Sequence, residues 1–61
     1  MNLAEQLEEW TKGLCAWNMP HSFKLHLVAE HRNQHATVYV FNDGSRARVW
    51  KGTAKAHVVS D

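Results

Sequence analysis

Hydrophobic and polar residues alternate along much of the chain after residue 22, which is the pattern of β-strands that bury one face. The clearest example is the segment 35–51, where two alternating runs are separated by Asp43 and Gly44. An Asp-Gly pair between two such runs is a strong signal for a β-hairpin with a two-residue turn. The segment therefore predicts antiparallel strands at about 35–42 and 45–51.

The two-residue turn also decides which side chains share a face of the hairpin, because it pairs Asn42 with Ser45. In that register the aliphatic residues of both strands lie on one face, which is suited to a core. This face carries Val38, Val40, Ala47 and Val49. The other face combines aromatic rings with arginines. It carries Tyr39, Phe41, Arg46, Arg48 and Trp50.

Two further strands are expected, one on each side of the hairpin. Residues 22–30 alternate between apolar and polar positions, and a turn at 33–34 would return the chain to the hairpin. Gly52 and Thr53 fit a type II′ turn, which prefers glycine at its first central position. A short last strand is then predicted at about 54–59.

The first part of the chain has the period of a helix rather than that of a strand. Apolar residues recur every three or four positions and form one stripe, which consists of Leu3, Leu7, Trp10, Leu14 and Trp17. Asn2 is a suitable N-cap, and Glu5 can complete a capping box three positions later. Pro20 sets the latest end of the helix. The pattern predicts an amphipathic helix over about 3–17.

These elements predict an α+β fold in a single domain over 1–61, with one N-terminal amphipathic helix packed on a three- to four-stranded antiparallel β-meander. The expected core joins the helix stripe to apolar sheet residues. It comprises Leu3, Leu7, Trp10, Leu14, Trp17, Phe23, Leu25, Leu27, Val38, Val40, Ala47 and Val49. Because a chain of 61 residues is near the lower limit for a self-supporting domain, a homodimer that covers more apolar surface is an alternative.

Composition narrows the classes of protein that this chain can represent. The single cysteine cannot form an internal disulfide and fits a reducing compartment. No apolar run approaches the ~20 residues that span a bilayer, and the acidic start does not resemble an export signal. We therefore expect a cytoplasmic protein without a membrane partner. Acidic residues dominate 1–17 and basic residues dominate 21–61, so the helix and the sheet should differ in charge.

The sequence offers little support for metal binding or catalysis. Its histidines stand at 21, 26, 31, 35 and 57, and their spacing with Cys15 matches no structural zinc pattern. No glycine-rich phosphate loop is present, and no base is placed beside Cys15. We therefore expect no metal ligands, no cofactor, no catalytic residues and no enzymatic activity.

The outward face of the predicted sheet, with its rim, is the best candidate for function. It carries Lys24, His26, Tyr39, Phe41, Arg46, Arg48, Trp50 and Lys55. Tryptophan, tyrosine and arginine are enriched at the energetic centres of protein interfaces. We therefore expect a small intracellular binding module, of the adaptor, inhibitor or regulator type, that contacts a protein partner through this face.

Three other interpretations of this face remain open. Aromatic rings and basic side chains on an open sheet also suit nucleic acid, by base stacking and phosphate pairing. The face could instead hold together a structural homo-oligomer that has no other ligand. Finally, its aromatic and arginine side chains could simply stabilise the sheet as cross-strand neighbours.

Overall fold

The computed structural model describes residues 1–59, in which one N-terminal helix packs against a four-stranded antiparallel sheet. The helices are α1 (Leu3–Thr11) and the short α2 (His21–Lys24). The strands are β1 (Leu27–Arg32), β2 (Ala36–Phe41), β3 (Arg46–Trp50) and β4 (Ala56–Val58). They lie in the order β1-β2-β3-β4, which is a meander. The predicted α+β fold class is confirmed.

Helix α1 begins where the sequence predicts and ends earlier. The Asn2 side chain accepts a hydrogen bond from the Glu5 backbone N–H (2.8 Å), and the Glu5 carboxylate accepts one from the Asn2 N–H (3.3 Å). This is the predicted capping box. The helix ends at Thr11 because Lys12 is already extended (ψ 128°) and Gly13 follows with a φ of +81°, a conformation that glycine adopts readily. The Leu14 N–H then donates to the Thr11 carbonyl (3.0 Å) and closes a turn. The predicted extent of 3–17 is therefore wrong.

The turn between β2 and β3 contains three residues, 42–44, rather than two. The Phe41 N–H donates to the Ser45 carbonyl (2.9 Å), and the Gly44 N–H donates to the Phe41 carbonyl (3.0 Å). Gly44 has a φ of +87°, as expected for the left-handed position of a three-residue hairpin loop. The extra loop residue moves the pairing of β2 with β3 by one position.

That shift inverts β2 relative to the prediction, because neighbouring side chains of a strand point to opposite faces. Tyr39 pairs with Ala47 and lies on the sheet face that packs against α1, here called the inner face. Phe41 lies on the same side and is only 1% exposed. Val38 and Val40 pair with arginines of β3 on the opposite side, the outer face. The predicted placement of these four β2 residues is wrong.

The segment predicted as a first strand at 22–30 is divided between α2 and β1. Pro20 precedes α2, and its carbonyl accepts the Phe23 N–H (3.0 Å). Strand β1 begins only at Leu27, and a β-bulge follows that residue. The turn into β2 occupies 34–35, one position later than predicted.

The core lies between α1 and the inner face of the sheet. Its fully buried members are Ala4, Leu7, Phe41, Ala47 and Ala56. Half-buried side chains pack around them, namely Leu3, Trp17, Met19, Phe23, Leu27, Tyr39, Val49 and Val58. Five residues of the predicted core are not part of this cluster, namely Trp10, Leu14, Leu25, Val38 and Val40. Val38 and Val40 lie on the outer face, and Leu25 is 67% exposed. Trp10 is 41% exposed and contacts the rings of Trp17 and Phe23 at the border of the core. The buried core is therefore smaller than the sequence predicts.

The loop between β3 and β4 also differs from the predicted turn at 52–53. Its four residues, 51–54, are closed by hydrogen bonds from the Trp50 N–H to the Lys55 carbonyl (3.3 Å) and from the Ala54 N–H to the Trp50 carbonyl (2.9 Å). Ala54 has a φ of +56°, which is unfavourable for a residue with a Cβ. The Trp17 indole N–H donates to the Ala54 carbonyl and links this loop to the segment after α1.

Candidate functional site

The outer face is formed by the side chains of all four strands that point away from α1. By the strand register its members are Ala29 and His31 of β1, Ala36, Val38 and Val40 of β2, Arg46, Arg48 and Trp50 of β3, and His57 of β4. The core side chains and the Phe23–Phe41 ring contact (6.1 Å between centroids) lie on the other side of the sheet. The outer face therefore combines aliphatic, aromatic and basic side chains, and no carboxylate is among the members named here.

Trp50 and Arg48 form the most distinctive pair on the outer face. The Arg48 guanidinium carbon lies 5.6 Å from the centroid of the Trp50 ring, within the range of a cation–π contact. Trp50 is 40% exposed, and Arg48 is exposed. Val38 pairs with Arg48, and Val40 pairs with Arg46 on the neighbouring strand. The two valines thus place aliphatic surface directly beside the basic side chains.

Arg46, Arg48 and Trp50 lie on the outer face as the sequence predicts, because the intervening residues Ala47 and Val49 turn towards the core. Tyr39 and Phe41 do not, because of the three-residue turn. A residue that is 1% exposed, such as Phe41, has no surface available for a partner in this structure. The valines take the place that was predicted for the two rings.

Tyr39 is half-buried on the inner face and lies beside a charged pair of β1. It pairs with Glu30 across β1 and β2, and the Arg32 guanidinium lies 3.4 Å from the Glu30 carboxylate. Burial raises the pKa of Tyr39 above its ordinary value, and the neighbouring Glu30 carboxylate raises this pKa further, whereas Arg32 opposes the change. Tyr39 therefore stays neutral to a higher pH than a free tyrosine does.

The remaining predicted contact residues are dispersed. Lys24 lies in α2 rather than in a strand. His26 precedes β1, and its Nδ1 lies 3.2 Å from the side-chain nitrogen of Asn42 in the β2–β3 turn. Lys55 lies across from Trp50, whose N–H donates to the Lys55 carbonyl (3.3 Å), and it also lines a groove between α1 and β4. The structure therefore places Lys55 next to Trp50, whereas Lys24 and His26 lie before β1 and outside the strands.

The groove between α1 and β4 has a volume of about 260 Å³. It is lined by Glu8, Thr11, Lys12, Lys55, Ala56 and His57. The Ala56 N–H donates to the Thr11 hydroxyl oxygen (3.1 Å), and the Val58 N–H donates to the Glu8 carboxylate (3.0 Å). These two side chains therefore join α1 to the edge of the sheet. The helical pattern alone places Glu8 on the solvated side of the helix, so this role was missed.

A second set of polar contacts joins the start of α1 to the β2–β3 turn. The Leu3 N–H donates to the Asp43 carboxylate (2.9 Å), and the Ala4 N–H donates to the Ser45 hydroxyl oxygen (3.1 Å). The Asp43 carboxylate also accepts hydrogen bonds from the side chain and backbone of Ser45. The Ser45 and Leu3 hydrogen bonds lower the pKa of Asp43, because they stabilise the ionised carboxylate.

Within residues 1–59, no group of three or more histidine, cysteine, aspartate and glutamate side chains is placed to hold a metal ion. Over the same range, neither helix has the length and apolar character needed to cross a membrane. Comparison of the chain with protein-family models, with curated proteins and with solved structures finds no match.

Proposed function

We propose that this protein is a small binding module that contacts a protein partner through the outer face. The observation that carries the proposal is the Trp50–Arg48 pair beside two partly exposed valines, on a sheet face that α1 does not cover. Tryptophan and arginine are the residue types that most often dominate binding energy at interfaces. Covering a half-exposed tryptophan ring removes its apolar surface from water and so contributes to the free energy of binding. The guanidinium stacked on the ring can also form an ion pair with a carboxylate of the partner.

The composition of the outer face favours a protein over a nucleic acid. Binding of single-stranded nucleic acid to an open sheet depends on several aromatic rings on which successive bases stack. Of the three sheet aromatics predicted for this face, Tyr39 and Phe41 point inward and Trp50 remains. Aliphatic side chains beside a tryptophan resemble the apolar centre of a protein interface more closely.

The test is differential capture from a cell lysate with three baits: the wild-type protein, Trp50→Ala and Trp10→Ala. Trp10 is the control for exposed tryptophan surface, because it is 41% exposed, close to the 40% of Trp50, and lies on α1, where its ring contacts Trp17 and Phe23 rather than the outer face. We expect proteins that are retained by wild type and Trp10→Ala and lost with Trp50→Ala. Circular dichroism should show that all three baits are folded.

Nuclease treatment and a charge variant complete the experiment. Arg48→Glu should abolish capture of the same proteins, whereas nuclease should leave their capture unchanged. Identical capture by all baits, or no protein retained specifically by the wild type, would refute the proposal. Capture that nuclease removes and that weakens steeply with salt would identify a nucleic-acid ligand instead.

A further inference from the structure

Among residues 1–59, β1 is an edge strand of the sheet, and no other strand pairs with its outer side. The Asn33 N–H donates to the Ala36 carbonyl (2.8 Å), so Asn33 belongs to the residues whose backbone faces β2. In an antiparallel ladder the backbone groups of successive residues point to alternate sides of the strand. The N–H and C=O groups of Glu30 and Arg32 therefore point to the free edge.

This edge is also accessible over its length. Val28 is 63% exposed, and the side chains of Arg32 and Glu30 are 75% and 38% exposed. A row of free backbone donors and acceptors is a template for another strand, and proteins usually protect such a row with a covering element, a β-bulge or charged side chains. In β1 the bulge lies between Leu27 and Ala29, before the two edge residues. Glu30 and Arg32 carry opposite charges, so they do not repel every strand and favour a partner strand whose charges are complementary.

We infer that β1 pairs in antiparallel fashion with β1 of a second copy of this chain, with the two-fold axis at His31. In that register Glu30 of one copy lies opposite Arg32 of the other, and Arg32 lies opposite Glu30. Both pairs are hydrogen-bonded pairs, because these two residues direct their backbone groups to the edge. Each positive charge then faces a negative one directly across the ladder.

The charges select this register over its neighbours. A symmetric pairing of β1 with its copy that uses the outward backbone groups of Glu30 and Arg32 has its two-fold axis at Glu30, His31 or Arg32. A centre at Glu30 places two carboxylates opposite each other, and a centre at Arg32 places two guanidinium groups opposite each other, both of which are unfavourable. The centre at His31 is the one that pairs opposite charges. This self-complementarity makes a second copy the occupant that the edge fits.

The dimer would contain one continuous sheet of eight strands, four from each copy. Its axis is perpendicular to the sheet, so both copies turn their outer faces to the same side. Dimerisation would also supply backbone hydrogen bonds and buried surface, which help a domain of this size. The inference is independent of the proposed protein partner, because the outer face stays uncovered in this dimer.

A charge-swap series with analytical ultracentrifugation tests the pairing. The chain has a mass of 7.0 kDa, and the wild type should approach twice that mass as its concentration rises towards millimolar. Glu30→Arg and Arg32→Glu each set like charges opposite each other and should return the protein to a monomer. The double variant Glu30→Arg/Arg32→Glu restores the opposite charges and should restore the dimer. Glu9→Arg, which breaks the exposed pair with Lys12 on α1, should leave the dimer intact.

A cysteine variant tests the register itself. His31 faces its own counterpart in a non-hydrogen-bonded pair, where Cα atoms lie about 4.5 Å apart and a disulfide can form. In a Cys15→Ser background, His31→Cys should give a disulfide-linked dimer on mild oxidation. Asn33→Cys, whose counterpart would lie farther away, should give little.

Four outcomes would overturn the inference: a wild-type protein that stays monomeric, a dimer that survives both single charge reversals, a double variant that remains monomeric while folded, or equal cross-linking at both cysteine positions. Each outcome leaves the Trp50-dependent capture experiment unaffected. Loss of the dimer in Trp50→Ala but not in Glu30→Arg would instead assign self-association to the outer face.

Discussion

The two edges of the sheet meet their surroundings in different ways. At β4 the outward N–H groups of Ala56 and Val58 are taken by Thr11 and Glu8, so α1 closes this edge with side chains. At β1 the corresponding groups of Glu30 and Arg32 face solvent. Helix α1 therefore covers one edge of the sheet, and the residues between α1 and β1 complete the cover of the inner face around Phe41. The β1 edge and the outer face remain available for contacts with other molecules.

The β4 edge supports the fold, whereas the β1 edge is free to bind another molecule. Around β4, contacts with α1 are buried and span most of the chain length, from Thr11 to Ala56. Around β1, the ion pair between Arg32 and Glu30 is exposed and local. We therefore expect substitutions at the β4 edge to change the free energy of unfolding strongly, and substitutions at the β1 edge to change it little.

The largest effect is expected from Thr11→Val, which keeps the shape of the side chain and removes its oxygen. The Ala56 N–H then loses its acceptor at a site where Thr11 is 1% and Ala56 is 2% exposed. An unsatisfied buried donor costs about 1–3 kcal/mol, and urea unfolding measures this loss. Thr53→Val is the control, because Thr53 is exposed and its contact with the Lys55 N–H is long (3.4 Å). A loss of similar size in the control would contradict the assignment.

A gain in stability is expected from Ala54→Gly in the loop that leads into β4. Ala54 has a φ of +56°, a conformation that costs a residue with a Cβ about 1–2 kcal/mol. Glycine relieves that strain but also makes the unfolded chain more flexible, so the net gain should be about 0.5–1 kcal/mol. Ala16→Gly, at an exposed residue without a positive φ, should instead reduce stability in the same thermal unfolding assay. A loss of stability in Ala54→Gly would refute the argument from strain.

A smaller, pH-dependent effect is expected from Asp43→Asn at the junction between α1 and the β2–β3 turn. The hydrogen bonds from Ser45 and Leu3 lower the pKa of Asp43 in the folded state below its ordinary value of 3.8. The unfolded state therefore takes up a proton first as the pH falls. The contribution of Asp43 is complete above that ordinary value and disappears as the pH drops through the lower folded-state pKa. Unfolding free energies of wild type and variant, measured from neutral to acidic pH, should converge at the acid end. A constant difference would contradict this role.

The smallest effect is expected from Glu30→Gln at the open edge. An exposed ion pair such as Arg32–Glu30 contributes about 0–1 kcal/mol, so the free energy of unfolding of the monomer should hardly change. The pKa of Tyr39 should fall because the carboxylate is removed, yet stay above 10.0 because burial is the larger cause. Ultraviolet titration follows this change directly, since the chain contains a single tyrosine. An unchanged Tyr39 pKa would show that Glu30 does not act on the ring.

The alternating pattern of the sequence predicts the outer face correctly for β3 but not for β2. The sequence predicts the faces of β3 correctly, because Arg46, Arg48 and Trp50 alternate with the small residue Ala47, which fits the buried side. In β2 both alternating sets are apolar, so hydrophobicity does not distinguish its faces. The prediction rests on a two-residue turn and on a matching register with the predicted first strand. Asn-Asp-Gly is equally compatible with a three-residue loop in which glycine takes the left-handed position.

The tertiary structure decides between the two turns through contacts outside the hairpin. In the three-residue loop, Asp43 and Ser45 reach the first two N–H groups of α1. The same register places the Phe41 ring against Phe23 and the core rather than on the surface. The two hydrogen bonds join residues 40 and 41 positions apart, and the ring contact joins residues 18 positions apart. Periodicity within one segment carries no information about such contacts.

The sequence by itself determined the α+β fold class, the start of α1 and the presence of the central hairpin, because each follows from interactions between neighbouring residues. Glycine at position 13 could also have indicated the early end of α1. Only the tertiary structure decided which face of β2 is buried, how α1 closes β4 and that β1 stays open. These features depend on hydrogen bonds and buried contacts between segments that are distant in the sequence. Interactions between neighbouring residues favour the alternative registers and packings almost equally, so they do not select one of them.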